Sequence, residues 1–215
     1  MIDFWIDNAD VFGDAALVTL RLALYSFAGA LAVGIVIASF RVSPIPPLRR
    51  FATVYVEMFR NTPLLVVFFL FFFGLPKVDI IFDPFPTSVI VLTLYTGAYL
   101  GEVIRSGINS VPLGQAEAGR AIGLNFVQLL GFIVIPQALR TVVGPIGNLF
   151  IANAKNTSIA FTIGVVELAS ASRTLINQTA QTWAALLGAG AIYTIALLFS
   201  GFVFGRIERA VAIKR

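Results

Sequence analysis

Long runs of apolar residues, separated by short polar segments, follow one another along the chain. A helix needs about 20 mostly apolar residues to cross the hydrocarbon core of a bilayer. Five segments meet this requirement, at residues 15–40, 51–75, 86–104, 129–150 and 183–205. The pattern therefore predicts an all-α, polytopic membrane protein with about five transmembrane helices. A re-entrant hairpin around residues 129–161, in place of one crossing, is the alternative left open.

The composition agrees with a membrane location and leaves little room for a second domain. Of the 215 residues, 58% are apolar and only 12% are charged, whereas soluble domains carry about 25% charged residues. Five crossings occupy about half of such a chain, so a single domain over residues 1–215 is predicted. The first twenty positions hold four aspartates and no basic residue, unlike a secretory signal, so we expect them to be retained.

Several kinds of chemistry are excluded by the residues that the sequence lacks. It contains no Cys and no His, which removes thiolate nucleophiles, imidazole bases and the commonest zinc ligands. It also contains no Gly-Lys dipeptide, which excludes a P-loop for nucleotide phosphates. We therefore expect no catalytic residue, no metal site and no cofactor in this chain.

The basic residues are divided unevenly between the two sets of alternate loops. One set holds nine, namely Arg41, Arg49, Arg50, Arg105, Arg120, Arg206, Arg209, Lys214 and Arg215, and the other holds three, namely Lys77, Lys155 and Arg173. Lys and Arg accumulate in cytoplasmic loops. The pattern predicts an N-terminus outside the cell and a C-terminus in the cytoplasm. It also assigns the net charge of +4 to topology and not to a nucleic-acid interface.

The loop between the third and fourth spans has the features of a short helix. Pro112 can begin such a helix and Gly123 can end it. Glu117 comes early, where the helix dipole favours an anion, and small apolar residues recur from Ala118 to Ile122. These features favour a helix that docks into a groove on a cytosolic partner. An amphipathic connector lying on the bilayer surface is the alternative.

The same loop resembles the Glu-Ala-Ala loop of ABC importer permeases. In that family the pattern runs Glu-Ala-Ala, three residues, Gly, nine residues, Ile, two residues, Pro. Every spacing is kept here, by Glu117, Ala118, Gly119, Gly123, Ile133 and Pro136. Gly119 replaces the second Ala, which lowers helix propensity by about 1 kcal/mol but keeps the small volume that we expect docking to require.

Further segments extend the resemblance over residues 15–210. They are Arg60-Asn-Thr-Pro-Leu-Leu, Gly101-Glu-Val-Ile-Arg-Ser-Gly-Ile, Ile135-Pro-Gln-Ala-Leu-Arg, Lys155-Asn-Thr-Ser-Ile and Ile163-Gly-Val-Val-Glu. These segments are similar to the polar amino acid branch of the family, which serves histidine, glutamate, glutamine and arginine. Within that branch they are most similar to actinobacterial-type glutamate permeases.

The resemblance implies a type I ABC importer permease fold in a bacterial plasma membrane. The implied partners are a second permease subunit, a dimer of cytoplasmic ABC ATPases that bind MgATP, an extracytoplasmic amino-acid-binding protein and membrane lipid, with no nucleic acid. The coupling loop, about residues 111–128, would meet the ATPase through Glu117, Ala118, Gly119, Arg120 and Gly123. The chain would then be a transport subunit and not an enzyme, with glutamate as its expected substrate.

Charged residues within a span are costly, which makes each one a candidate for function. Glu57 and Arg60 lie three residues apart in the second span, and an ion pair between them would reduce the cost. Asn61 and Thr62 follow, and Pro63 then leaves a backbone carbonyl without its usual donor. We expect a polar pocket there that binds the charged ends of an amino acid. The alternative is a pair that only anchors the helix.

A second polar cluster, Lys155, Asn156, Thr157 and Ser158, follows the fourth span. An ammonium group beside hydroxyls and an amide suits a carboxylate ligand, so these residues are also candidates for the substrate pathway. An outer loop with helix caps is the alternative. Two prolines within the fourth span predict a kink or a break in that helix.

Three other features have simpler interpretations. Glu102 and Arg105, at the cytoplasmic end of the third span, are predicted to form a structural ion pair. The aromatic run at residues 66–74 surrounds its helix, so it is predicted to pack against lipid and other helices. Arg140 has no assigned role.

The main rival function is an ion-gradient-driven secondary amino acid transporter or a channel, which would need the spans but no docking helix. An intramembrane enzyme without His or Cys would depend on Asp, Glu, Lys or Ser. The signs of the charges do not decide the substrate, because Arg60 and Lys155 favour a carboxylate whereas Glu57 favours an amino group.

Overall fold

The computed structural model describes residues 1–211, apart from the side chain of Phe126. Within that part the chain forms α-helices with short 3-10 and π-helical turns and no strand, which confirms the all-α prediction. Lys214 and Arg215, two of the basic residues in the predicted charge asymmetry, lie outside the described residues. The α-helices are α1 (Ile2–Asp7), α2 (Ala9–Val42), α3 (Pro46–Arg60), α4 (Leu64–Phe69), α5 (Pro84–Asn109), α6 (Leu113–Ala121), α7 (Phe126–Leu129), α8 (Ile135–Asn156), α9 (Leu168–Thr179) and α10 (Thr182–Val211).

Four helical segments are long and apolar enough to cross a bilayer. They are Ala9–Val42, Pro84–Asn109, Val127–Ile163 and Thr182–Val211. A bent pair, Pro46–Arg60 followed by Leu64–Val78, makes a fifth candidate crossing. The predicted number of spans is therefore confirmed. Every segment extends beyond its predicted limits, because helical hydrogen bonding continues into polar residues after the apolar run has ended.

The second span, predicted as one apolar segment with an interruption at Pro63, consists of two separate helices. Its two halves meet at an angle of 104°. The Asn61 N–H donates to the Glu57 carbonyl at 3.0 Å and ends the first half. Pro63 has no N–H and disfavours a helical conformation at Thr62, so the helix cannot continue through the break. The break therefore follows directly from the Asn-Thr-Pro sequence.

The aromatic run at residues 66–74 lies in the second half of this bent span. Phe68 is fully buried in the main core cluster, whereas Phe69 and Phe73 are exposed. The run thus contacts other helices with one side and faces outward with the other, which agrees with the predicted packing role.

Helices α2 and α5 form the central packed pair of the fold. Small residues let the two backbones approach closely, as is usual where helices associate within a bilayer. A Cβ atom at Gly34 would lie 2.7 Å from the Leu100 Cβ, and one at Gly97 would lie 2.8 Å from the Val33 Cγ1. Any side chain at either glycine would push the helices apart. This tight pair provides a fixed wall for the elements around it.

The fourth span, Val127–Ile163, is continuous but not uniformly α-helical. A π-helical turn at Leu130–Val134 precedes α8. Pro136 lies directly after this turn, where a wider turn accommodates the missing N–H. Pro145 lies inside α8 without interrupting it. The irregularity therefore falls at the start of the span, and the hairpin considered around residues 129–161 does not form.

Helices α9 and α10 form a hairpin that packs against the beginning of the chain. Ala180, with φ of 55°, makes the left-handed turn between them. The Trp5 indole N–H donates to the Ala184 carbonyl at 2.8 Å and fixes α1 against α10. Farther along α10, Ile195 and Phe199 are exposed, as expected of a helix with a lipid-facing side.

Candidate functional site

The break in the second span places Arg60 beside α5. The Tyr55 hydroxyl donates to the Leu94 carbonyl at 2.6 Å and fixes α3 along α5. One turn later, at the end of α3, the Arg60 guanidinium carbon lies 5.5 Å from the centroid of the Tyr99 ring. This geometry is a cation–π contact, and it holds the exposed Arg60 side chain against α5. The break thus directs a fixed positive charge towards the middle of α5.

A cavity of about 170 Å³ lies at this point between α5 and α8. Its lining residues are Tyr95, Thr96, Tyr99, Leu149, Ala152, Asn153 and Asn156. The Tyr95 and Tyr99 hydroxyl oxygens are 3.4 Å apart, so the two rings present their polar ends together. The tyrosines lie near the middle of the α5 span, at the depth where transporters commonly bind their substrates.

Asn153 lines this cavity and joins three helices. Its side chain is 1% exposed. The amide oxygen accepts from the Thr96 hydroxyl at 2.8 Å, and the amide nitrogen donates to the Ser26 hydroxyl at 2.9 Å and the Ala23 carbonyl at 3.2 Å. Both amide hydrogens are therefore used within the protein. Asn153 holds α2, α5 and α8 together, and Asn156 is the amide that remains available at the cavity.

The predicted cluster at residues 155–158 is divided between different surroundings. Asn156 lines the α5–α8 cavity, whereas Lys155 faces a separate groove against α10, beside Thr194. The Thr157 hydroxyl is buried and donates to the Ala154 carbonyl at 2.7 Å. The Ser158 hydroxyl donates to the Lys155 carbonyl at 2.8 Å. The structure thus brings Asn156 close to Tyr95 and Tyr99 and directs Lys155 away from them.

The two predicted ion pairs differ in outcome. Glu102 accepts from the Arg105 Nε at 3.2 Å, as expected, and a nitrogen of Arg41 on α2 also lies 3.4 Å from the carboxylate. Glu57 and Arg60, both within the described residues, do not form the expected pair. The reason is geometric, because Arg60 turns towards Tyr99 and leaves Glu57 exposed. The prediction of that pair was wrong.

The loop after α5 contains the predicted helix, now seen as α6. It follows Pro112, and Gly123 beyond its end adopts φ of 84°, a left-handed conformation that favours glycine. Leu113 and Ile122 are each 78% exposed, and the predicted docking residues Glu117, Ala118 and Arg120 are also exposed. The helix therefore presents an outward surface with apolar ends and charged groups between them.

Gly119 does not belong to that outward surface. It is buried, and a Cβ atom there would lie 2.6 Å from the Leu129 Cδ1 and 2.8 Å from the Ile133 Cδ1. Its small volume therefore serves packing within the chain, so the sequence-based account of why this position is small was wrong. The contact fastens α6 to the beginning of the fourth span.

Comparison with known proteins identifies the family. The family model described as "Binding-protein-dependent transport system inner membrane component" matches residues 30–213. A probable glutamine ABC transporter permease protein of Bacillus subtilis is 39% identical over 77% of this chain and 75% of its own length. The glutamate transport system permease protein of Corynebacterium efficiens is 34% identical over the full length of both chains. The chain belongs to the amino acid ABC transporter permease family.

The permease also resembles a solved relative over almost its whole length. A chain in the crystal structure of an amino acid ABC transporter with histidines is 29% identical, covers 95% of the permease and 96% of that chain, and superposes with a TM-score of 0.90. The expected type I importer fold is therefore confirmed. The permease is a multi-pass transport subunit of the plasma membrane, and membership of the family implies an ATPase partner and a permease partner.

Sequence reasoning about the permease missed the tyrosines that line the cavity. Tyr95 and Tyr99 lie four residues apart, so they share one face of α5. Two polar-tipped aromatic residues at this spacing within an apolar span were a detectable signal. The hydrogen bonds of the buried Asn153 side chain were harder to predict, because its partners on α2 and α5 are 127 and 57 residues away in sequence.

Proposed function

We propose that the permease imports glutamate along a pathway that passes the cavity between α5 and α8. The observation that carries this proposal is the position of the Arg60 guanidinium above the Tyr99 ring. A guanidinium stays charged at any physiological pH and binds a carboxylate through two parallel hydrogen bonds. Glutamate carries one more carboxylate than glutamine, so a fixed cation at this place favours glutamate.

The other polar groups near the cavity complement this cation. The Tyr95 and Tyr99 hydroxyls and the Asn156 amide both donate and accept hydrogen bonds, which suits the α-amino and α-carboxyl groups of a substrate. On the side of the broken span we assign Glu57, Asn61 and Thr62 to the approach to the cavity. The full-length relative of Corynebacterium efficiens is named as a glutamate transport protein, which supports the same substrate.

The residues beyond the cavity are assigned to the part of the pathway between two permease copies. Thr141, Asn148 and Lys155 are exposed on α8 and lie seven residues apart. This spacing places them along one face of a helix. Polar groups on that face would be costly against lipid, so we propose that a second permease copy covers it. Lys155 and Ser158 then belong to the outer flank of the shared pathway, whereas the buried Thr157 packs within the chain behind them.

We further propose that α6 is the coupling helix that meets the ATPase. Its exposed ends, Leu113 and Ile122, offer apolar anchors for a groove, and Glu117 and Arg120 offer charges that set the register. MgATP binds the ATPase and not this chain. The contact of Gly119 with Leu129 and Ile133 would transmit a movement of α6 to the beginning of the fourth span, which leads into α8.

The remaining assignments concern the orientation of the permease and its surroundings. The excess of Lys and Arg in one set of loops supports an N-terminus outside the cell and a C-terminus in the cytoplasm. An extracytoplasmic binding protein then delivers the amino acid to the outer face, and lipid covers the outer surface of α10.

Transport by Arg60 variants tests the assignment of glutamate. In proteoliposomes that contain the permease, its ATPase and its binding protein, Arg60→Lys should retain part of the glutamate uptake and Arg60→Gln should lose most of it. A charge-assisted hydrogen bond lost at the site corresponds to a rise of about tenfold or more in the KM for glutamate. Glutamine uptake should change much less. Equal loss of both substrates would contradict the role of Arg60 in selecting a carboxylate.

A further inference from the structure

The row of polar side chains on α5 continues beyond the cavity to a carboxylate. Glu102 lies three residues after Tyr99 and seven after Tyr95, so the three side chains share one face of the helix. The Arg60 guanidinium carbon is 5.5 Å from the centroid of the Tyr99 ring. Glu102 follows about one helical turn farther along the same face. It therefore offers Arg60 the same chemical group that we propose for the substrate.

Arg60 and Glu102 nevertheless do not pair. Among the described residues Arg60 has no carboxylate within 4.0 Å, and its side chain is exposed. Opposite charges about one turn apart attract each other, and an arginine side chain is long and flexible enough to close such a gap. The reason for the separation lies in the other partners of Glu102.

Both carboxylate oxygens of Glu102 are engaged by two other arginines. Arg105 binds them as a fork, in which its Nε donates to Oε2 at 3.2 Å and its Nη2 donates to Oε1. The Arg41 Nη2, at the end of α2, lies 3.4 Å from Oε2. A forked contact between a guanidinium and a carboxylate is among the strongest hydrogen-bonded pairs in proteins. Glu102 is therefore fully occupied without Arg60.

The balance of charge has the same effect. Arg41, Glu102 and Arg105 together carry a net charge of +1, and their side chains are only 18%, 25% and 29% exposed. This group as a whole does not attract another cation. Arg60 consequently remains on the Tyr99 ring, beside the cavity that Tyr99 lines.

We propose that Arg41 and Arg105 are positioning residues for substrate selection, which bind Glu102 and thereby keep Arg60 free for a substrate carboxylate. The inference rests on the proposed function, because it assumes that Arg60 meets the substrate. It differs from a purely structural link between α2 and α5 in the part that Glu102 plays. In a structural link Glu102 is needed, whereas here it is a competitor that the two arginines hold away from Arg60.

Removal of the competitor together with its partner distinguishes these two roles. Arg105→Gln breaks the fork and leaves Glu102 with the single contact from Arg41, so the carboxylate can bind Arg60. Arg105→Lys keeps a cation beside Glu102. The double variant Arg105→Gln with Glu102→Gln removes the competing charge as well. Arg50→Gln is the matched control, because it removes an exposed arginine of α3 that has no ion pair among the described residues.

The measurement is the ratio of maximal rate to KM for ATP-dependent uptake of glutamate and of glutamine, in proteoliposomes with the complete transporter. Arg105→Gln should lower the glutamate ratio by about three- to fivefold, because a partly exposed ion pair that captures Arg60 reduces the competent fraction by about that factor. Arg41→Gln should have a smaller effect, since the fork from Arg105 remains. Arg105→Lys and Arg50→Gln should stay close to the wild type, and the glutamine ratio should change little in any of these variants.

The decisive result is the behaviour of Glu102→Gln. Alone it should not lower the glutamate ratio, and in the double variant it should restore most of what Arg105→Gln loses. If Glu102→Gln is impaired as much as Arg105→Gln, or if the double variant recovers no uptake, the three residues form a structural link and the inference is wrong. Equal losses for glutamate and glutamine would also overturn it. A wild-type transporter that moved no amino acid with ATP and binding protein present would instead contradict the proposed function itself.

Discussion

Replacing Asn153 by alanine should loosen the centre of the helical bundle. The substitution removes three hydrogen bonds, to Thr96, Ser26 and the Ala23 carbonyl. Hydrogen bonds between transmembrane helices contribute about 0.6 kcal/mol each on average, which gives about 2 kcal/mol for the three. Ser26 keeps a second partner, because its hydroxyl also donates to the Leu22 carbonyl at 2.7 Å.

The Thr96 hydroxyl, unlike that of Ser26, loses its hydrogen-bond acceptor in Asn153→Ala. Thr96 is buried, and Asn153 is the only acceptor found for its hydroxyl in the described part of the chain. A buried hydroxyl without a partner costs about 1 kcal/mol or more. The predicted loss for Asn153→Ala is therefore about 2–3 kcal/mol in the free energy of unfolding. Asn153→Asp should cost more, because it buries a carboxylate and removes both amide donors.

Denaturant-induced unfolding in bicelles, followed by tryptophan fluorescence, measures these changes. Asn177→Ala is the matched control, since Asn177 is exposed on α9 and should shift the unfolding free energy by no more than about 0.5 kcal/mol. A double-mutant cycle with Thr96→Val should give a coupling of about 0.6 kcal/mol between the two side chains. A change for Asn153→Ala as small as that of the control would refute the assignment of Asn153 as the joint of three helices.

Three further predictions concern the partners of the permease. Gly123→Ala, at a residue with φ of 84°, should cost about 1 kcal/mol locally and reduce the ATPase stimulation by loaded binding protein; full stimulation would contradict the need for this turn. Glu117→Ala should uncouple ATP hydrolysis from the binding protein without changing ATP hydrolysis by the isolated ATPase, and normal stimulation would count against docking by α6. Because the chain has no native Cys, Asn148→Cys should form a disulfide between permease copies on oxidation, whereas Ile195→Cys on α10 should not. Equal cross-linking at both positions would exclude α8 as the shared face.

The number and order of the crossings could be predicted from the sequence, because each depends on a long apolar run. The interruption of the second span at Asn61, Thr62 and Pro63 could be predicted too, but the size of the bend there could not. Apolar residues continue on both sides of that break, so hydropathy alone does not distinguish a straight crossing from two halves at 104°. The angle is set by packing against α5, which no local pattern contains.

The candidate site shows a similar division. Lys155 and Asn156 are neighbours in sequence, and a single polar cluster was the natural prediction. Successive residues on a helix point about 100° apart, so the two side chains face different cavities. Gly119 was predicted to belong to the docking surface. Its contacts with Leu129 and Ile133 depend on how α6 folds back on the fourth span, which the local sequence does not show.

The central claim is that this chain conducts an amino acid under the control of a partner ATPase. The direct measurement is uptake of labelled glutamate, glutamine, arginine and histidine into proteoliposomes that contain the permease with its ATPase, with ATP inside and binding protein outside. We predict accumulation of glutamate that requires both ATP and binding protein and is unaffected by ionophores. Uptake that proceeds without ATP and collapses with the ion gradient would contradict the claim and establish a secondary transporter.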